Sequence, residues 1–267
     1  MDIPDDHRVT NLDGAQAKTT ITSFRIIRAL NAHGNAGVSE LAEELEMAKG
    51  TIHKHLTTLR ELGFVVKDEQ GYRLSVSFLE LGVAVRARMP IYDISHEPLQ
   101  KLAEATGKVA SLVIKEHGYG VYISRVTEES TSDIEIQEGE RIPLHATASG
   151  KAILAYTPEE YRDQILEQNL QRFTKDTVTN RDDLYDELQR VYNNRIAHEH
   201  NEFRSNRVAT AAPITDLNGD AVAAVTVSKF AEESDEKMTN PDVTSLLSST
   251  ADFVQNRYHI RSNEENL

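Results

Sequence analysis

The residues most able to do chemistry lie between Lys49 and Arg73, where basic and hydroxylated side chains recur at helical spacing. Residues 49–62 place apolar side chains at i, i+4 and i+7, which is typical of one buried helix face. The other face carries lysine, threonine and histidine, and none of its donors is acidic. Such donors bind phosphates and base edges, so we predict a DNA-binding surface. Its predicted members are Lys49, Gly50, Thr51, His53, Lys54, Thr58, Lys67 and Arg73.

Two helices and a hairpin must position these side chains. Residues 39–45 form a short amphipathic helix with Ser39 as its predicted N-cap, and Gly63 is placed as the C-terminal cap of the helix over residues 49–62. Two β-rich runs follow, at residues 64–67 and 72–74, and the turn between them completes a wing. This order of elements predicts a winged helix-turn-helix, because few other folds require it.

A supporting helix is predicted over residues 20–33, with its apolar side chains inward. Those side chains are Ile21, Phe24, Ile27 and Leu30. His53 and His55 point to different sides of the second helix, so we expect one at DNA and the other packed or facing solvent.

Catalytic and metal chemistry find little support in the sequence. The absence of cysteine excludes disulfides, thiol catalysis and Cys-ligated metal sites. Ser149-Gly150-Lys151 lacks the glycine and the Ser or Thr that a phosphate-binding loop requires around it. His198 and His200 have no third ligand at a fixed spacing, so we expect no metal and no cofactor. An enzyme, for example a hydrolase using Ser149, is the alternative, although an enzyme needs neither wing nor basic helix.

The charge of the chain is strongly acidic and unevenly distributed. Net charge is -14, from 43 acidic and 29 basic residues. Residues 1–90 hold 12 acidic and 11 basic residues, a net of -1, so the remainder carries -13. Abundant acid, sparse lysine and zero cysteine suit a high-salt cytoplasm, and we hypothesise a haloarchaeal source against the alternative of an ordinary acidic protein. We expect a cytoplasmic protein, because no apolar stretch approaches the length of a membrane span and no signal peptide is visible.

The remainder of the chain is predicted to be an α+β domain with a mainly antiparallel sheet. A helix over residues 75–89 ends at Pro90, and the next, over residues 91–106, is kinked near Pro98 and capped by Gly107. Thr157 is predicted to cap a short helix. The predicted strands are residues 109–114, 121–126, 134–137, 141–144, 208–214 and 221–228, and the further helices are residues 182–194 and an amphipathic segment around residues 243–254.

Three stretches together resemble the IclR family of transcriptional regulators. They are KGTIHKHL at residues 49–56, LHATASGKAILA at residues 144–155, and AAPI at residues 211–214 leading to AAVTVS at residues 223–228. The resemblance covers about residues 20–257. It implies an N-terminal winged helix-turn-helix, a dimerising linker helix, and a C-terminal GAF-like effector-binding domain. It also implies a homodimer or tetramer that binds double-stranded promoter DNA, responds to a small metabolite such as an organic or sugar acid, and stays off the membrane.

The resemblance also implies an effector pocket. Its positions fall in this sequence on Ala148, Ser149, Gly150, Glu199, Ala209, Thr226 and Ser228. Free backbone amides at Ala148 and Ser149, near the start of a helix over residues 150–156, would attract a carboxylate. The chain departs from the family pattern at Glu199, where aspartate is common, at Ala209, where cysteine occurs, and at Asn206, which replaces a glycine.

We therefore predict five segments along the chain. They are a frayed tail at residues 1–18, a DNA-binding domain at 19–74, a linker helix at 75–90, an effector-binding domain at 91–260 and a polar tail at 261–267. The predicted function is a sequence-specific, metabolite-responsive transcriptional regulator that controls a catabolic pathway.

Overall fold

The computed structural model describes residues 17–127, 137–167, 170–230 and 241–264. Contacts divide the chain into two compact units, Met1–Val85 and Arg86–Leu267. The described residues do not include residues 1–16 of the frayed tail predicted over residues 1–18, most of the strand predicted over residues 134–137, or residues 265–267. Lys18, the last residue of that predicted tail, begins the first helix.

The first unit contains three helices, a two-stranded sheet and most of a fourth helix. They are α1 Lys18–His33, α2 Val38–Glu44, α3 Lys49–Glu61, β1 Val65–Lys67, β2 Tyr72–Leu74 and α4 Ser77–Arg86, which continues across the boundary. β1 and β2 pair antiparallel, with Val66 opposite Arg73. The predicted winged helix-turn-helix is confirmed.

The core of this unit follows the predicted apolar stripe of α3. Ile52, Leu56 and Leu59 are buried and pack with Leu30 of α1. The prediction that Phe24 faces inward is wrong, because its side chain is 54% exposed. Helical spacing instead buries other members of α1, with Ile26 fully covered and Ile21 and Ile27 partly covered.

Particular residues determine where α2 begins and how the wing packs. α2 begins one residue earlier than predicted, because the Gly37 amide donates to the Glu40 carboxylate at 2.6 Å, so Ser39 is not the N-cap. In the wing, Gly71 has φ +139°, and an added Cβ would lie 2.8 Å from the Ala36 carbonyl oxygen. Only glycine therefore fits where the wing packs against the segment before α2.

The second unit is a six-stranded sheet with helices on both faces. Its helices are α5 Pro90–Thr106, α6 Ala148–Ala155, α7 Glu159–Leu166, α8 Arg181–Asn194 and α9 Pro241–Glu264, and its strands are β3 Val109–Glu116, β4 Tyr119–Val126, β5 Arg141–Pro143, β6 Ala197–His200, β7 Arg207–Thr215 and β8 Ala221–Phe230. The spatial order is β5-β4-β3-β8-β7-β6 and every neighbouring pair is antiparallel. The predicted α+β class is confirmed.

The two faces of the sheet have separate cores. One core contains side chains of α5 and α9, and the other contains side chains of α6, α7 and α8. Because side chains alternate along a strand, residues two apart in β7 and β8 face the same core. The short helix α6 is entirely buried, and its side chains belong to the second of these cores.

Several predicted boundaries in this unit were wrong for identifiable reasons. Pro90 begins α5 instead of ending the helix before it, since proline fits the first turn of a helix. Gly107 caps α5 in the left-handed region, as predicted, and Pro98 lies inside the helix. Thr157 does not cap α7, because its hydroxyl donates to the Ile153 carbonyl at 2.9 Å.

α9 is longer than the predicted amphipathic segment. It continues to Glu264, so residues 261–264 of the predicted polar tail are helical. Within the described part of the chain, no helix combines the length and apolar content that crossing a membrane requires.

Candidate functional site

The eight residues predicted to contact DNA are all solvent-exposed. α3 advances about 100° per residue, so Gly50, Lys54 and Thr58 lie opposite its buried stripe. Thr51 and His53 flank that outward line. The structure thus gives α3 an outer face with a cation and hydroxyls at its centre, which suits insertion against a DNA groove.

The two histidines of α3 separate as the sequence indicates. His53 is exposed, whereas His55 is half-buried and its Nδ1 lies 2.8 Å from the Ser23 hydroxyl of α1. His55 therefore joins α3 to α1. The Thr58 hydroxyl donates to the Lys54 carbonyl at 3.1 Å, so only its acceptor capacity is open to DNA.

The wing places its two predicted contacts differently. Arg73 is opposite Val66, and Lys67 is opposite Tyr72, so Lys67 and Arg73 lie on opposite faces of the hairpin. Arg73 Nε lies 3.4 Å from the Asp68 carboxylate. Hydrogen bonds, first from Asn35 and then from the wing backbone, lower the pKa of Asp68 and keep it ionised. A phosphate must compete with Asp68 for Arg73.

The second candidate site is a buried polar row on the sheet face against α6. Glu199 of β6 is opposite Ala209 of β7, which is opposite Ser228 of β8. Thr226 is two residues before Ser228 and therefore shares that face. All four side chains are buried. The structure brings these four predicted pocket residues together, and it adds Ser111 of β3 opposite Thr226.

The start of α6 differs from the predicted open anion site. α6 begins at Ala148, two residues before the predicted start, and the Ala148 amide donates to Glu199 Oε2 at 3.4 Å. The Gly150 amide donates to the Thr147 hydroxyl, the N-cap, at 3.2 Å. Of the two amides that we expected to be free for a ligand carboxylate, that of Ala148 thus binds the protein's own carboxyl group.

Ser149 and Gly150 are both buried in the first turn of α6. A Cβ at Gly150 would lie 2.2 Å from the Leu144 carbonyl oxygen, so Gly150 allows α6 to pack closely against the segment after β5. Ser149 is buried, and among the described residues its hydroxyl has no hydrogen bond to a histidine.

The electrostatics of the row centre on Glu199. Burial raises the pKa of Glu199, although Arg207 and the Ala148 amide oppose that shift. Its second oxygen, Oε1, is buried and has no hydrogen-bond partner. A carboxyl group in this state favours the protonated form, which can donate a hydrogen bond as well as accept one.

Arg207 is a residue of this site that the sequence prediction missed. It is two residues before Ala209 on β7, so the alternation of the strand places it on the same face. The guanidinium is buried, and Nη2 donates to the Tyr122 hydroxyl at 2.7 Å. Attraction to Tyr122 and Glu199 outweighs burial and raises the pKa of Arg207, so it stays charged. The sequence signal for this residue was an arginine two positions before Ala209, which strand alternation places on the same face.

A neighbouring buried ion cluster holds α6 in place. Lys151 Nζ lies 2.7 Å from Glu202 Oε1 and 2.5 Å from Glu187 Oε1. The lysine side chain is fully buried, so losing either carboxylate would leave a charge poorly compensated. In the part of the chain that the structure describes, no group of three or more His, Asp or Glu side chains is arranged to hold a metal ion.

Comparison with known proteins assigns both units to one family. A family described as the IclR helix-turn-helix domain matches residues 23–69, and one described as the C-terminal domain of the bacterial transcriptional regulator IclR matches residues 83–256. The HTH-type transcriptional regulator BhcR of Paracoccus denitrificans is 30% identical over 194 residues, which span 72% of this chain and 70% of BhcR.

Solved structures agree with this assignment. The crystal structure of IclR from Thermotoga maritima has a TM-score of 0.75 and 29% identity, and the match covers 90% of this chain and 98% of that one. An IclR homologue from Microbacterium hydrocarbonoxydans, crystallised with 4-hydroxybenzoate, has a TM-score of 0.74 at 19% identity, over 89% of this chain and 98% of that one.

Proposed function

The chain belongs to the IclR family of transcriptional regulators, and from that premise we propose that α3 and the wing bind promoter DNA under the control of a small organic acid bound in the second unit. The observation that carries the DNA-binding half is the outer face of α3. The exposed side chains from Lys49 to Thr58 are hydrogen-bond donors or are uncharged, whereas the whole chain has a net charge of -14. Phosphate contacts by Lys54 position the protein, while Thr51 and His53 read base edges.

Single substitutions on α3 test this half of the proposal. Lys54→Ala is expected to weaken all duplexes alike and to flatten the salt dependence of binding. Thr51→Ala or His53→Ala is expected to change sequence preference, at about 1–3 kcal/mol for a good base contact. Lys101→Ala, which removes an exposed lysine paired with Glu97 in the second unit, is the matched control. If binding to a selected duplex is unchanged in all three α3 variants, α3 is not the recognition helix.

We also propose that two copies of the chain pair through α4. None of the residues of α4 is buried within a single chain. Its apolar side chains are open to solvent, and Leu79 and Val85 are 66% and 56% exposed. An apolar helix left uncovered is typical of an interaction surface. Two-fold pairing would also present two recognition helices to two half-sites.

The effector site is proposed on the buried row of Glu199, Ala209, Thr226 and Ser228, beside Ala148 at the start of α6. What supports it is a set of polar groups that the fold buries without completing their hydrogen bonds, such as Glu199 Oε1. The solved relative with 4-hydroxybenzoate binds a carboxylic acid, which agrees with this ligand class. The ligand can alter DNA affinity only if it prefers one arrangement of the chain over another.

Calorimetry with candidate organic acids tests the effector site. Ser228→Ala and Glu199→Gln are expected to weaken binding, because each removes a group that would contact the ligand. Thr210→Ala serves as the control, because it removes a buried hydroxyl from the opposite face of β7. If an acid binds the wild type and both site variants with the same affinity, the ligand binds elsewhere.

A further inference from the structure

Arg207 is a buried cation with an unfilled donor, and the following inference rests on the proposed effector site. The side chain is 3% exposed, Nη2 is bonded to Tyr122, and Nη1 has no partner. A buried donor without a partner costs free energy, and a buried charge costs more.

The geometry locates this cation over the middle of the sheet. Arg207 is on β7 and Tyr122 is on β4, with β8 and β3 between them. Strands are about 4.8 Å apart, so these two are separated by roughly 14 Å. Their hydrogen bond therefore forms above β8 and β3, which carry Thr226 and Ser111 as a cross-strand pair. Arg207 is therefore on the same face of the sheet as the buried hydroxyls of the proposed site.

Acceptor and donor atoms on the same face lack matching partners. Glu199 Oε1 and Ser111 Oγ are buried without a hydrogen bond, as is Arg207 Nη1. Arg207 and Glu199 attract each other electrostatically, yet these two atoms do not meet. A ligand that supplies acceptors to Arg207 and to a protonated Glu199 would satisfy both.

Two further arginines interact with the Arg207–Tyr122 pair, and one of them is paired with Glu140. Arg125 lies over the Tyr122 ring with its Cζ 5.5 Å from the ring centroid, and Arg204 contacts Glu140 at 2.7 Å. Burial first, and then repulsion from Arg207 and Arg204, lowers the pKa of Arg125. A bound anion would relieve this repulsion, which favours an acidic ligand over a neutral one.

We propose that Arg207 is the carboxylate anchor of the effector site and selects small 2-hydroxy or 2-oxo acids. Nη1 donates to one carboxylate oxygen of the acid, and Glu199, once protonated, donates a hydrogen bond to the other. The Ser111 hydroxyl binds the adjacent hydroxyl or oxo oxygen. One positive and one negative charge then balance inside the site, and the three unfilled atoms are satisfied. Because the lining residues are buried, the acid must be small.

The test compares acids with their amides on the full-length protein. Acetate, lactate and pyruvate, each with its amide, are titrated by calorimetry. We expect at least one acid to bind and its amide to bind roughly 10- to 100-fold more weakly, as for a lost hydrogen bond to a charged group. Arg207→Met is expected to lose the same factor, and Arg207→Lys, which keeps the charge but not the planar fork, to lose less.

A control variant and a spectroscopic readout separate anchoring from folding. Thr210→Ala removes a buried hydroxyl from the opposite face of β7 and should keep acid-over-amide selectivity. In the wild type labelled with ¹⁵N-arginine, the side-chain signal that disappears in Arg207→Lys should shift when the acid is added.

The outcomes distinguish this inference from the function on which it rests. If an acid binds and Arg207→Met and Arg207→Lys bind it as tightly as wild type, or if acid and amide bind equally, Arg207 is not the anchor, although the effector site stands. If none of the three acids binds, the anchoring of small 2-hydroxy and 2-oxo acids is overturned. A larger acid that binds and is weakened by Ser228→Ala would then leave only the effector site in place.

Discussion

At the scale of single residues, Glu199 determines the chemistry of the buried site. It accepts from the Ala148 amide, where the sequence indicated space for a ligand's carboxylate. No reading of the sequence could show this, because Glu199 and Ala148 are 51 residues apart. The position of Glu199 in the pocket was available from the family resemblance, whereas its bond to α6 depends on the register between β6 and β7.

Glu199→Gln is expected to change how stability depends on pH. Burial raises the pKa of Glu199, so the folded state holds this proton more tightly than the unfolded chain does. The contribution of Glu199 to stability is fully present below the ordinary pKa of glutamate and is lost as pH rises through the raised pKa. Glutamine cannot ionise, so the stability of the variant relative to wild type should increase as pH rises through that window.

Urea unfolding of both proteins between pH 4 and pH 8 measures this difference. Glu104→Gln, which replaces an exposed glutamate, is the control and should track wild type throughout. A constant difference between wild type and Glu199→Gln at every pH would contradict the assignment.

Gly50→Ala is expected to separate stability from DNA binding. Gly50 is exposed in the first turn of α3, and a Cβ there would meet nothing within 4 Å. Alanine in a helix stabilises by about 0.5–1 kcal/mol relative to glycine, so the melting temperature should rise. If α3 approaches DNA as proposed, the added methyl group intrudes on that contact and lowers affinity. A variant that is more stable and binds DNA as tightly as wild type would place Gly50 away from the interface.

At the scale of elements, periodicity predicted the helices and alternation predicted the strands. The stripe of Ile52, Leu56 and Leu59 is buried as expected, since it repeats at helical spacing. The prediction for Phe24 was wrong because its apolar side chain is on the exposed face of α1. An apolar repeat in the sequence cannot distinguish that face from the core. β6 was missed as an element because it has four residues, two of which are exposed histidines.

α4 provides the prediction at this scale. Leu79→Asp should place a charge on the proposed pairing helix and give a monomer by light scattering, with weaker binding to a two-fold symmetric duplex. Leu217→Asp is the matched control, because Leu217 is 62% exposed on the turn before β8 and Leu79 is 66% exposed. A Leu79→Asp protein that remains the same oligomer as wild type would move the interface to another element.

At the scale of the whole molecule, charge and architecture divide in the same place. The first 90 residues are nearly neutral, and the remaining residues carry the acidity. An acidic second unit leaves the donors of α3 unopposed locally, so a chain of net charge -14 is compatible with binding DNA. The fold class followed from element order, while the separate cores on the two sheet faces required the sheet order.

The hypothesis of a high-salt source makes a prediction for the intact chain. Raising KCl from 0.1 M to 1 M shortens the Debye length from about 10 Å to about 3 Å, which screens the self-repulsion of the acidic unit. The melting temperature is therefore expected to rise with KCl in this range. Calorimetric scans at fixed pH measure it, and a melting temperature that falls with KCl would contradict the halophilic interpretation.

The central claim is that this chain reads DNA sequence through α3 and the wing as a two-fold pair. The most direct measurement is sequencing of the duplexes that the full-length protein retains from a random library, in parallel with a Thr51→Ala, Lys54→Ala double variant. We predict that wild type enriches a symmetric motif with half-sites about one helical turn apart, and that the double variant loses it. Absence of an enriched motif with wild type, or the same motif with the double variant, would contradict the account.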